Sequence, residues 1–382
     1  MKKFLLAACL ILTVLAAAAD AQLFTSETTH KAGEKLRNGD RAGAIAVLDQ
    51  AIEKRKDLLE AHQMRANLRL MGGDIDGAIS DYTVALGITP DDARLYERRA
   101  GLRELRRDYA GAVEDLSAAI THGAKSERVY EARARIKRDT GDADGAIADY
   151  QAALAVNPNL AAAANGLASL LERQKNDPDA ALAFLQGFID RYESKTGGKL
   201  PALKGGTPTG DEVTVKPDEK GKEGTQATTS LVAVMTDDSP GSEAEMERRR
   251  ARMEQLGNLA IAYANLGRMY AKKNDPDRAA KNYEKGLKIN ENSAYLRGLR
   301  SELRLKRGDL QGAIEDLQVA AANPTGPFDR HFNQGMLLLL QGKDAEADKE
   351  FAQHLQMFPE SKKYLTERIE ETKKLRAQQP QD

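Results

Sequence analysis

The residue types that do chemistry are present in this chain, but not in the spacings chemistry needs. Five histidines, His30, His62, His122, His331 and His354, are scattered. None belongs to an H-E-x-x-H pair or sits beside a second metal ligand at helical spacing. No G-x-S-x-G elbow is present, which removes the usual strand-turn-helix presentation of a serine nucleophile. Gly205 to Gly210 has the glycine spacing of a phosphate loop, yet Asp211 follows where lysine is required, and no strand precedes it. The one cysteine, Cys9, offers no partner for a disulfide, a redox pair or a thiolate metal site. We expect no catalytic residue, no cofactor and no metal.

One charged spacing does recur. Arg65, Arg99, Arg133 and Arg300 each precede an aspartate, Asp81, Asp115, Asp149 and Asp316, by 16 residues. Elsewhere both positions change together, to Lys31 with Val47 and to Leu266 with Asn282, while Gln334 and Glu350 keep a polar pair. A helical hairpin turning midway would bring each Arg to its Asp and fix the register of the two helices. The rival outcome is a ladder of exposed arginines facing an acidic ligand.

The elements that carry these pairs repeat as a phrase. Gly39-Asp40, Gly73-Asp74, Arg107-Asp108 and Gly141-Asp142 start at intervals of 34 residues, as do Asn274-Asp275, Gly308-Asp309 and Gly342-Lys343. A period of this length marks a solenoid of helical hairpins. In the second repeat, residues 60–71 read as a helix with Ala66 and Leu70 on one face. Gly72-Gly73 stops it, and Asp74 caps the next. Ala78, Ile79, Tyr82, Ala85 and Leu86 then follow amphipathic spacing, and Pro90 closes the unit. Ala66 with Ala78, Ala100 with Ala112, and Ala134 with Ala146 mark close approaches within hairpins. Ala51, Ala85, Ala119, Ala153 and Ala320 mark close approaches between them. Leu48, Tyr82, Leu116, Tyr150, Tyr283, Leu317 and Phe351 are the large knobs of the second helices.

These features resemble the tetratricopeptide repeat family, over seven clear units and a degenerate fifth around Asn176–Ala181. The resemblance implies an all-α fold, a right-handed superhelix of helical hairpins. It also implies that first helices line a concave groove for a protein or peptide partner. Carried over by position, that groove holds Gln63, Asn67, Arg94, Glu97, Arg128, Glu131, Arg135 and Arg138. Near the C-terminus it holds the more apolar Phe332, Asn333, Met336 and Leu339. Gln63 stands where the carboxylate-gripping subgroup has lysine, although Asn67 agrees with that pattern.

Composition bounds the rest. The chain has 382 residues, a net charge of −1 and no tryptophan. Near-neutral charge argues against nucleic acid as a partner. Lys2, Lys3 and the apolar run Phe4–Ala19, followed by Ala19-Asp20-Ala21, read as a cleaved signal peptide of residues 1–21. Leu6-Ala7-Ala8-Cys9 offers a lipoprotein signal as the rival. No later stretch approaches the ~20 apolar residues of a membrane span. Residues 22–193 form a first repeat block. Residues 194–241, rich in Gly and Pro, read as a flexible linker in which only Leu231–Met235 is strand-prone. A second block covers 242–360, opened by a capping box of Ser242 and Glu245 on a long helix over 243–273. A charged helix in 361–382, with Tyr364, Leu365 and Ile369 inward, caps the stack. The expected protein is a periplasmic or secreted, non-catalytic scaffold of the cell envelope. An accessory subunit modulating an envelope enzyme or secretion machine is the alternative, and a homo-oligomer is left open.

Overall fold

The computed structural model describes residues 26–198, 240–324 and 327–378, and every regular element among them is helical. The expected targeting segment, Leu231–Met235 and most of the expected linker lie outside the described residues. The chain divides into two compact units, Met1–Val156 with Pro217–Glu245, and Asn157–Lys216 with Met246–Asp382.

The first unit contains four hairpins: α1 (26–37) with α2 (Arg41–Lys54), α3 (Leu59–Met71) with α4 (Ile75–Ile88), α5 (Ala93–Leu105) with α6 (Tyr109–Thr121), and α7 (Glu127–Asp139) with α8 (Ala143–Val156). Each turn works through the recurring phrase. Gly73 has φ +80°, a left-handed conformation that a Cβ disfavours. Asp74 then accepts the Gly77 N–H at 2.9 Å, satisfying one of the donors that a helix start leaves open. Asp40 and Asp108 do the same for Gly43 and Gly111, at 2.7 and 3.0 Å.

The alanines form the seams. Ala44, Ala66, Ala78, Ala112, Ala134 and Ala146 are fully buried, so helix backbones meet closely and the knobs Leu48, Tyr82, Leu116 and Tyr150 fill the space beside them. Leu70 is a correction to the sequence reading: it is exposed, and Leu68 is the buried leucine of α3. The helix is rotated so that Leu68 enters the cluster with Leu48 of the preceding hairpin and Leu58 at its own start.

The second unit starts earlier than the expected block at 242. It holds α9 (Ala161–Arg173) with α10 (Pro178–Thr196), α11 (Pro240–Lys272, from Met246 onward) with α12 (Pro276–Ile289), α13 (Ala294–Lys306) with α14 (Leu310–Ala322), and α15 (Pro327–Leu340) with α16 (Asp344–Met357). A final helix, α17 (Lys362–Ala377), follows. The degenerate fifth repeat therefore packs with the C-terminal repeats. Asn165 donates to the Asn258 carbonyl at 2.8 Å, and Tyr263 donates to Glu193 at 2.8 Å. Helix α10 continues to Thr196 and ends at Gly197 with φ +59°, beyond the expected start of the linker. Helix α11 begins at Pro240, which puts Ser242 inside its first turn and not at its cap.

Two glycines in this unit are set by close approach. A Cβ on Gly267 would lie 2.5 Å from the Tyr283 ring, and one on Gly335 would lie 2.4 Å from the Phe351 ring. Both occupy the register that Ala66 holds in the second repeat, so the aromatic knob presses directly on helix backbone.

The Arg–Asp spacing closes within each hairpin. Arg65 bonds both oxygens of Asp81, with Nη2 2.5 Å from Oδ1, and Arg300 Nη2 lies 2.6 Å from Asp316. Arg133 Nε reaches Asp149 at 2.8 Å. The aspartates are almost fully buried and the arginines mostly so, which rules out a ladder open to a ligand. A second cation, four residues after the first, was not anticipated. Arg69, Arg103, Lys137 and Arg304 approach the same carboxylates at 2.8, 3.1, 2.9 and 3.0 Å. A buried carboxylate needs such compensation, because desolvation alone costs several kcal/mol. In the last hairpin the polar pair is His331 Nδ1 with Glu350, at 2.7 Å, and not Gln334 with Glu350.

Candidate binding grooves

In the first unit the first helices α3, α5 and α7 carry all eight residues assigned to the groove by position. Gln63 and Glu97 are half-buried, and burial raises the Glu97 carboxyl above the usual carboxylate range. Asn67 accepts the Tyr82 hydroxyl at 2.9 Å. Arg138 lies 3.3 Å from the Tyr150 hydroxyl and 2.8 Å from Asp139. Arg135 reaches back to Glu104 on the preceding first helix, at 3.0 Å. Arg94 folds onto Asp92, the residue capping its own helix, and Arg128 is exposed. Glu131 is half-buried. The surface is polar and mixed in sign, with its knob hydroxyls satisfied by the neighbouring first helix.

Of the C-terminal set, Phe332, Asn333 and Met336 line a cavity and Leu339 does not. Leu339 is fully buried and Met336 nearly so, both within the core that includes Leu305, Phe351 and Leu365. Asn333 is buried too. Phe332 stacks on Tyr364, with ring centres 5.8 Å apart and planes 14° apart. Helix α17 causes this. Leu365 enters the core beneath α15, and Arg376 pairs with Asp344 at 2.5 Å. Tyr364 and Arg368 of the cap join Phe332, Asn333 and Met336 in lining what stays open.

What remains open in the second unit is a cavity of about 640 Å³ on the first-helix side. Its walls include Arg173 of α9, Arg268 of α11, Tyr295 and Glu302 of α13, and Tyr364 of α17. Arg268 and Glu302 occupy the register of Asn67 and Arg135, and Tyr295 that of Arg94. The same positional logic would therefore have found them. They were missed because α11 read as a solvated helix of mixed charge, and because α9 was assigned to the other block.

Electrostatics organise this wall. Arg268 forks onto Glu172 at 3.0 and 2.6 Å, and Lys272 adds a contact at 2.7 Å. The bond from Arg268 holds the Glu172 carboxyl down at about 2, with burial opposing and Lys272 assisting. Glu302 faces Lys306 at 3.2 Å and Arg368 at 3.4 Å. Tyr283 forms the floor, and burial pushes its hydroxyl up from the usual phenol range. Such a wall can hold a ligand by hydrogen bonds, charge and ring contact. Among the described residues no group of His, Cys, Asp and Glu is placed to hold a metal ion.

Family models agree with this architecture. A tetratricopeptide repeat model matches residues 31–93 and 131–195, and a second such model matches 260–293. Among solved structures, a tetratricopeptide repeat protein from Parabacteroides merdae ATCC 43184 is 16% identical, with a TM-score of 0.47, over 82% of this chain and 98% of its own. The MamA protein is 18% identical, with a TM-score of 0.43, over 47% of this chain and 98% of its own. YrrB, described as a TPR protein with an unusual peptide-binding site, is 16% identical, with a TM-score of 0.39, over 65% of this chain and 95% of its own. No curated protein matches.

Proposed function

This chain belongs to the tetratricopeptide repeat family, and from that premise we propose that it is a non-catalytic scaffold of the bacterial cell envelope, holding a segment of a partner protein in its first-helix groove. The observation that carries this reading is the cavity of about 640 Å³, lined by first helices together with Tyr283 and the terminal helix and bearing aromatic and charged side chains. A volume in this range suits a few side chains of a ligand. The wall residues are fixed by ion pairs behind them, as Arg268 is by Glu172, so little ordering is left for binding to supply.

The envelope assignment rests on the charged and apolar order of residues 1–21. No helix among the described residues is long and apolar enough to cross a membrane. The near-neutral charge favours protein over nucleic acid as the partner.

Proximity labelling in the native envelope tests the reading, with wild type compared to a Tyr295→Ala, Arg173→Glu double variant. Loss of specific neighbours at equal abundance and equal thermal stability is the expected result. An unchanged set of neighbours rejects the groove, and recovery of the chain from the cytosolic fraction rejects the envelope.

A further inference from the structure

Tyr283 breaks a rule that the other knob tyrosines obey. Tyr82 donates to Asn67, 15 residues earlier on the facing first helix. Tyr150 is met by Arg138. In the sixth repeat the residue 15 before Tyr283 is Arg268, but its guanidinium is turned away onto Glu172 of the preceding repeat. The Tyr283 hydroxyl has no hydrogen-bond partner among the described residues, although only 2% of the residue is exposed, and it lines the cavity. The hydroxyl is left to the cavity, where a ligand acceptor can take its hydrogen bond.

Charge says which acceptor. Six lining residues are cations and one, Glu302, is an acid. Glu172, Asp277 and Glu371 outside the wall take up part of that charge. Arg173, exposed at the rim, has no ion pair among the described residues and keeps its full charge available. In the same cavity the stacked Phe332 and Tyr364 rings give an apolar shelf.

We propose that this cavity recognises an acidic side chain next to a large apolar one on an extended partner segment, with the Tyr283 hydroxyl donating to the carboxylate. This deepens the groove reading above and rests on it. The apolar neighbour lies on the Phe332–Tyr364 shelf, and Arg173 draws the segment in by charge.

The test uses the full chain and synthetic hexapeptide pools, in which two adjacent positions are fixed and four are randomised. Binding is read by fluorescence anisotropy. Pools fixed as Glu-Phe or Asp-Leu are expected to bind at least about tenfold tighter than pools fixed as Lys-Phe or Lys-Leu. Tyr283→Phe keeps the ring over Gly267 and is expected to keep the melting temperature. It should lose about tenfold in affinity for the acidic pools, as expected for a lost hydrogen bond to a charged group. Arg173→Glu should weaken the acidic pools and erase their salt dependence. If acidic and basic pools bind alike, or if Tyr283→Phe binds as wild type does, this inference is wrong while the groove stands. If no pool of any charge binds, the groove reading fails with it.

Discussion

Arg99 holds both oxygens of Asp115, through Nε at 2.9 Å and Nη2 at 2.7 Å, while its third nitrogen reaches Thr83 of the preceding repeat at 3.1 Å. The same three-way contact recurs where Arg133 joins Asp149 to Ser117, and where Arg65 joins Asp81 to Asp49. One side chain thus fixes the register of its own hairpin and braces it against its neighbour.

This arrangement predicts strong coupling. Asp115→Ala strands Arg99 and Arg103 and should cost about 3–5 kcal/mol. Combined with Arg99→Leu, the loss should be smaller than the sum of the single changes by about 1–3 kcal/mol. Urea denaturation of the four proteins in the cycle measures it, and additive losses would refute the brace.

Close packing of knob on backbone predicts an opposite sign at two glycines. Gly335→Ala puts a methyl group 2.4 Å from the Phe351 ring and should destabilise by about 1–3 kcal/mol. Gly101→Ala, in an exposed position on α5 with open space around it, should stabilise by about 0.5–1 kcal/mol. Thermal melts of both variants decide the point, and equal shifts would contradict it.

Acid should loosen the second unit through Glu172. Its folded pKa is about 2 against an ordinary value of 4.5, so the folded state binds the proton less readily than the unfolded chain. The contribution is fully present above about 4.5 and fades as pH falls towards about 2. Glu172→Gln should flatten the decline in melting temperature across that window. A variant with the same acid profile as wild type would show that the Arg268 contact adds no stability.

The terminal helix should be part of the fold and not an appendage. Leu365 is 1% exposed within the core of the last hairpins, so Leu365→Ala should cost about 2–5 kcal/mol. Hydrogen exchange should show the loss of protection spreading into α15, where Met336 and Leu339 lie. Protection lost in α17 alone would mean that the cap is independent of the stack.

Much of this was legible in the residues. The 34-residue phrase placed the helices, because a left-handed Gly and an Asp cap act within a few residues of themselves. The Arg–Asp spacing gave the pairing, because an antiparallel hairpin converts separation along the chain into contact. Local patterns could not assign the fifth repeat, whose Glu172 meets Arg268, 96 residues away, across a stretch of chain with no repeat phrase. The residues did give α17 as a cap with Leu365 and Ile369 inward, as they lie, but did not show that Leu339 beneath it would be buried, since a polar cap and a free groove call for similar apolar residues on the helix below. Sequence alone determined the hairpins and their ion pairs, through interactions that begin and end inside one repeat. Tertiary structure decided which first-helix side chains stay available, because a long arginine such as Arg268 chooses among partners that only packing brings within reach.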